Sequence, residues 1–286
     1  MRSRGTLTQV LGPARHNPVA RVTRPPIACY GNPSVGLDSR RLRLLDGDPP
    51  ELLVYDELGP CPYLPGQRAR LPMRLPVRPL TAGEFDDRLQ GGDRRQGLLL
   101  YRPRCPSCNA CEAIRLNVHE FRGNKTQRRI FRKGEDTFTV ERARPELSRE
   151  KVDLYNRHKT GRDLMGEGDP IDTAGYGAFL VDTCVDTFEL RYRVDGKLVG
   201  VAVVDESTDA LSAVYTYFDP DYGKLSPGVY SIMKQVAMCR EMGRSYLYLG
   251  LYVADCKSMA YKSRYLPHER QTPGPDGDLA WVKTEV

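Results

Sequence analysis

The sequence predicts an α+β fold: a mixed, largely antiparallel sheet with flanking helices, plus an N-terminal cysteine-containing subdomain. Three observations predict it. Residues 188–218 hold three consecutive strand-like runs joined by tight turns. A helix-periodic run and one more strand follow them, and a Cys-x-x-Cys-x-x-Cys stretch at 105–111 lies in a connection between two further strands.

In chain order, residues 1–50 carry most of the excess positive charge, which is +6 overall. They are rich in Pro and Gly with no period of 2 or 3.6, and read as a basic, disordered extension. Residues 51–145 form the cysteine-containing region. Within it 97–103 reads as a short buried strand ended by Pro103, and 112–118 as an alternating strand. Residues 137–143 alternate as a third. Pro145 then opens a helix expected over 146–157, burying Leu147, Leu154 and Tyr155, and a short helix is expected at 176–181. The domain built on the meander is expected over 146–275. Its strands are 188–194 and 198–205, joined by the turn pair Asp195-Gly196, followed by 210–218. Pro227-Gly228 opens a helix whose Val229, Ile232, Met233, Val236 and Ala237 keep a 3.6-residue period, and Gly243 ends it. A strand at 246–252 and a short helix at 257–265 complete the order.

Composition excludes several classes. At 286 residues, 40% hydrophobic and 28% charged, the chain can bury a real core. It has no apolar run of 18 residues, and no apolar stretch behind Arg2 and Arg4, so neither a membrane span nor a signal peptide is expected and the cytoplasm is the expected compartment. Eight cysteines are too sparse for a disulfide scaffold. Four of them, Cys61, Cys105, Cys108 and Cys111, could close one tetrahedral site for Zn or an iron-sulfur cluster; the other reading is four small packing thiols. Residues 121–134 hold six basic side chains and no acid. Phe121, Ile130 and Phe131 would anchor this run and present Arg128, Arg129, Arg132 and Lys133 to a phosphate-bearing partner, or to solvent alone. His119, His158 and His268 stand without a nucleophile at telling spacing, so no hydrolytic triad is expected.

A meander running into a helix and then a strand resembles the fold of the acetyl-CoA N-acetyltransferases (GNAT). Members that use acyl-CoA hold its pyrophosphate on a glycine-rich turn before the helix. Here that turn, residues 219–228, begins with acids and lacks closely spaced glycines. A CoA-dependent N-acetyltransferase therefore stands only as an alternative.

Six blocks, in order, resemble the aminoacyl-tRNA protein transferases: Cys61-Pro-Tyr-Leu-Pro-Gly66, Tyr101-Arg-Pro-Arg-Cys-Pro-Ser-Cys-Asn-Ala-Cys111, Gln127-Arg-Arg129, Leu211-Ser-Ala-Val-Tyr-Thr-Tyr-Phe-Asp-Pro220, Tyr248-Leu-Gly250 and Met259-Ala-Tyr-Lys262. The resemblance implies transfer of an amino acid from a charged tRNA to the α-amino group of a protein or peptide that begins with Asp or Glu, marking it for degradation by the N-degron (N-end rule) route. The two cysteine blocks look like the bacterial leucyl branch, so leucine is the expected donor. Gly250-Leu-Tyr-Val253 departs from the Gly-Tyr-Trp of that branch and keeps an arginyl-tRNA donor as the alternative. The chemistry needs no cofactor. An α-amine with a reference pKa of about 7.7–8.0 is nucleophilic near neutrality, so positioning and oxyanion stabilisation should carry the rate. Tyr217, Tyr248 and Tyr261 are candidates to return a proton to the leaving ribose oxygen, and Asp219 to orient the amine. Arg128 and Arg129 are candidates to hold the acidic side chain. Lys262 is an alternative for that role, or a partner for acceptor-arm phosphates. The cysteines then read as a staple or a sensor rather than as the reacting centre.

Overall fold

A computed structural model describes residues 42–165, 170–274 and 278–284. Residues 1–41 of the expected basic extension lie outside the described residues. The first elements are short because Pro, Gly and acidic residues interrupt the β-prone runs. They are β1 (Arg43–Leu45), β2 (Glu51–Tyr55), β3 (Leu58–Pro60), β4 (Arg68–Arg70) and β5 (Met73–Pro76). Helix α1 (Ala82–Gln90) starts at a capping box in which Thr81 and Glu84 satisfy each other's backbone N–H. Strands β6 (Arg94–Gln96) and β7 (Leu99–Tyr101) then close a five-stranded antiparallel sheet in the order β1-β2-β5-β7-β6, while β3 and β4 pair separately. The last residues of the expected extension thus belong to a sheet edge.

The larger sheet begins with β8 (Glu112–Asn117), just past the cysteine turn. Helix α2 (Lys125–Thr137) contains the basic run, and β9 (Thr139–Ala143) follows it. Helix α3 spans Arg149–Gly161 rather than starting beside Pro145. Ser148 supplies the N-cap, its hydroxyl accepting from the Lys151 N–H at 3.3 Å, so Leu147 precedes the helix and is 49% exposed, whereas Leu154 and Tyr155 are buried as expected. The short helix expected near 176–181 is α4 (Thr173–Tyr176) running into a π-turn at Gly177–Val181.

Strands β10 (Thr187–Val194), β11 (Lys197–Glu206) and β12 (Ala210–Phe218) form the expected meander. Asp195 and Gly196 both take positive φ, 49° and 79°, as a two-residue hairpin of this hand requires. A 3₁₀ turn at Pro220–Leu225 leads to α5 (Pro227–Glu241), and β13 (Tyr246–Tyr252) follows. The last expected helix is split into α6 (Lys257–Ala260) and a 3₁₀ turn at Tyr261–Arg264. Strands β14 (His268–Pro273) and β15 (Leu279–Thr284) end the described chain. The sheet order is β15-β14-β8-β13-β12-β11-β10-β9. Strands β8 and β9 precede residue 146, yet they belong to this sheet.

Helices cover both faces of the sheet, which is why β11 is buried along nearly its whole length instead of alternating. On one face α2 and α5 pack with Phe121, Phe138, Tyr192 and Tyr230. On the other, α3 and α4 pack with Val201, Val203 and Tyr217. A third cluster joins α1, through Phe85 and Leu89, to Ala210 and Tyr248 of the large sheet. The small sheet is also tied across by Arg95, whose guanidinium donates to both Asp205 oxygens at 2.7 and 2.8 Å in a buried fork. Among the described residues no helix is long and apolar enough to cross a membrane.

Candidate active site

Strands β12 and β13 run parallel and pair only over residues 210–212 and 246–248. Beyond that both strands are irregular. On β12 the register skips Val214, between the pairs Val203–Tyr215 and Val204–Ala213. On β13 it skips Leu249, between Tyr248–Arg115 and Gly250–Ile114. Bulges bend and twist the strands that carry them, and here they accompany the parting of two neighbours in mid-sheet. Backbone groups of β12 that would otherwise face β13 are left without that partner. Gly250 sits at the opening with φ of 92°, a conformation L side chains rarely adopt.

Two cations reach Gly250, Arg94 from β6 and Lys262 from the turn after α6. A Cβ built on Gly250 would lie 3.3 Å from Arg94 Nη2 and 3.4 Å from Lys262 Nζ. Each residue is only 7% exposed. Arg94 Nη2 donates to Ala213 O on β12 at 3.5 Å, and Lys262 Nζ donates to Leu251 O on β13 at 2.5 Å and approaches Met259 Sδ at 3.2 Å. Neither makes an ion pair with a carboxylate among the described residues. Asp205 acts on Arg94 from a distance, but its oxygens are held by Arg95 and Thr187. Burial first and Arg94 second push the Lys262 ammonium down to about 7, against the opposing pull of Cys256.

The tyrosines have different surroundings. Tyr217 is fully buried on the α3 face, its hydroxyl 2.5 Å from that of Tyr176 and its ring against Tyr155. Burial raises its pKa well above the ordinary phenol value. Tyr248 is buried too and accepts from Arg115 Nη1 at 2.9 Å; burial pushes it up to about 12 against the pull of that guanidinium. Arg115 itself lies over the rings of Tyr246 and Trp281 and is paired with Glu269. Tyr261 is 41% exposed and adjoins Lys262, whose Nζ is 6.0 Å from its ring centre.

Asp219 carries no exposed surface. Its carboxylate meets Arg157, Lys197 at 3.1 Å and the Asp221 N–H at 3.2 Å, where it caps the 3₁₀ turn. Arg128 and Arg129 are exposed on the first turns of α2, where Arg128 Nη1 donates to Gly123 O at 2.5 Å. Tyr261 and Lys262 are thus brought to the opening, and Tyr248 lies close enough to influence Arg94 electrostatically. The bonded sets around Tyr217 and Asp219 do not include Arg94 or Lys262.

Cys61, Cys105, Cys108 and Cys111 line one cleft of about 520 Å³, whose wall also includes Leu251, the residue whose carbonyl holds Lys262. Cys61 Sγ accepts the Leu64 N–H and Cys105 Sγ the Arg70 N–H, each at 3.4 Å. Burial, and then the neighbouring sulfurs of Cys61, Cys105, Cys108 and Cys256, push the Cys111 thiol up to about 12. Among the described residues no group of three or more His, Cys, Asp or Glu is placed to hold a metal ion.

Family models described as arginine-tRNA-protein transferase, N terminus and C terminus, match residues 59–129 and 150–272. The chain belongs to the aminoacyl-tRNA protein transferase family. Its similarity to three aspartate/glutamate leucyltransferases is extensive. It is 39% identical to that of Chromobacterium violaceum over 208 residues, covering 73% of this chain and 86% of the relative. The enzyme of Hahella chejuensis is 36% identical, covering 73% of this chain and 88% of the relative. That of Pseudomonas fluorescens is 37% identical, with the same shares. Among solved structures, FemX has a TM-score of 0.39 at 10% identity over 58% of this chain and 59% of its own, too low to fix a fold.

This transferase carries at its opening two residues that sequence reasoning missed. Arg94 sits in Asp93-Arg-Arg-Gln96, which reads as surface charge. Gly250 did carry a signal, since a glycine inside a strand marks a bulge or a close approach.

Proposed function

We propose that this transferase moves leucine from Leu-tRNA to the α-amino group of proteins beginning with Asp or Glu. The observation that carries the reading is the similarity to relatives bearing that activity in their names, across 86–88% of their length. The parted β12 and β13 supply a place for the reaction, and the fold reads as a GNAT-like one in which acyl donor and amine enter a split between parallel strands. The free amine attacks the ester carbon, the tetrahedral oxyanion is met by backbone N–H groups of β12 beyond Ser212, and the carbon–oxygen bond to the ribose then breaks as a proton passes to that oxygen. Tyr261, exposed and beside Lys262, is the best placed of the phenols to supply this proton, and it recovers one from the attacking nitrogen, which is left positively charged when its bond to carbon forms. Tyr217 and Tyr248 would act through packing. The reaction belongs in the cytoplasm, where charged tRNA and reduced cysteines coexist.

Cys61, Cys105, Cys108 and Cys111 have the donor chemistry that a Zn ion or an iron-sulfur cluster takes, they line one cleft, and two accept backbone N–H bonds; as they stand no three of them are placed to hold a metal, so the sulfurs would have to draw together around it. Such a group would tie residue 61 to the cysteine turn, and no chemical step passes through it. Protein purified without oxygen should carry metal that Cys61→Ser loses; equal metal content in both would return the four to plain thiols.

The function is tested by offering labelled Leu-tRNA and Arg-tRNA, side by side, to one peptide with N-terminal Glu. Leucine incorporation is expected. Incorporation of arginine alone would move the chain to the arginyl activity, and none from either donor would end the reading.

A further inference from the structure

We propose that Arg94 and Lys262 form a buried carboxylate-binding site that seats the side chain of the acceptor's first residue. The proposal rests on the transferase reading above. Two like charges are held beside each other in the protein interior with no acid of their own among the described residues, an arrangement that is costly unless something else supplies the negative charge. The point a Cβ would take on Gly250 lies within 3.4 Å of a nitrogen from each cation, so both nitrogens converge on the same glycine, and a carboxylate reaching this place from the opening could accept from both. Glycine at 250 therefore does two things: it adopts a φ of 92° and, having no side chain, it lets both cations come close to the strand.

The position suits the acceptor. The site lies at the opening of β12 and β13, bounded by Ala213 O and Leu251 O, where the attacking amine has to come. In Asp and Glu the carboxylate stands one or two methylenes from the α-carbon, so its seat must adjoin the amine. Donors converging from two sides let either length keep a bond: the Arg94 fork comes from the small sheet and the Lys262 ammonium from the turn after α6. Arg128 and Arg129 are exposed on α2, where water screens their charge; a desolvated pair discriminates carboxylate from amide far more strongly.

The charged and titratable groups facing Lys262 are Arg94 from β6, Cys256 at the start of α6 and Tyr261 beside it. With Lys262 held to about 7 in the empty site, a bound carboxylate should draw a proton onto it.

Two peptides identical except for N-terminal Glu or Gln test the proposal. With Leu-tRNA as donor, Arg94→Gln and Lys262→Met should each lower kcat/KM for the Glu peptide about 100-fold, as removal of one member of a buried charged contact does, and bring the Glu/Gln ratio toward one. Arg94→Lys should retain part of the preference, and Gly250→Ala should weaken it by pushing the two cations away from each other. An equal fall on both peptides with the ratio preserved would overturn the proposal. Calorimetry on the wild-type protein without tRNA guards against variants that fail to fold. The Glu peptide should bind more tightly than the Gln peptide and with proton uptake near pH 8; equal binding of the two overturns the proposal. A wild-type enzyme that transfers neither leucine nor arginine defeats the transferase reading, whereas one that transfers while the variants keep full Glu preference defeats only this site.

Discussion

A carboxylate with no exposed surface keeps its charge only where donors meet it, and Asp219 has Arg157, Lys197 and the Asp221 N–H. Burial alone would raise its pKa, but these donors outweigh burial and hold it below the ordinary value. Its stabilisation is therefore present above about pH 4, the unfolded reference, and is lost as pH falls further. Asp219→Asn should cost about 2 kcal/mol at pH 7 in urea melts, a figure kept small because both cations are half exposed. His158 works the other way round. Buried against Phe218, with Nδ1 accepting the Phe218 N–H at 3.1 Å, it is held neutral and its pKa drops to about 4, burial being the chief cause. Stability from this group is full above pH 6.5 and declines as pH falls from 6.5 toward 4, where the unfolded chain binds the extra proton. His158→Asn, which keeps an acceptor, should flatten that decline by up to about 1.4 kcal/mol per pH unit. Residue types were legible in the sequence, but their partners were not. Arg94 and Arg95 are adjacent and chemically identical, yet one meets Gly250 and the other meets Asp205. Only pairing across 110 or more residues separates them.

At the scale of elements, legibility followed local signals. The Asp195-Gly196 turn and the alternating runs around it announced the meander, and the period of α5 announced its buried face. Strands β14 and β15 carry no such signal: His268-Glu-Arg-Gln-Thr-Pro273 is polar because it lies near the sheet edge, where pairing with β15 and β8 rather than burial on both faces holds it. Helix α2 hid behind its charge. Its Gly134 lies flat against Tyr230 of α5, and a Cβ there would come 2.1 Å from the ring. Alanine is the better helix former by roughly 1 kcal/mol, so propensity and packing oppose each other at this site. The clash involves an aromatic ring packed on Phe138 and Tyr192, which has little room to give. Gly134→Ala should lower stability by about 1–3 kcal/mol in denaturant melts. A rise would mean that α2 can lift off α5 without cost.

Across the whole molecule, positive charge is divided by environment, and on the proposed reading the two substrates take different sites accordingly. At the opening it is buried and close-set, in Arg94 and Lys262 beside Gly250. On α2 it is exposed and repeated: Lys125, Arg129, Arg132 and Lys133 make no ion pair among the described residues. Exposed cations of this kind bind weakly one at a time but add along a phosphate backbone by releasing its counterions. A charged tRNA offers that backbone, whereas a short acidic N-terminus does not. The double variant Arg129→Gln, Arg132→Gln should therefore raise KM for Leu-tRNA and leave the Glu/Gln peptide ratio intact. The dependence of log KM on log salt should become shallower by about 0.7–0.9 for each phosphate that no longer meets a cation. A salt slope equal to that of the wild type would show that α2 faces solvent alone.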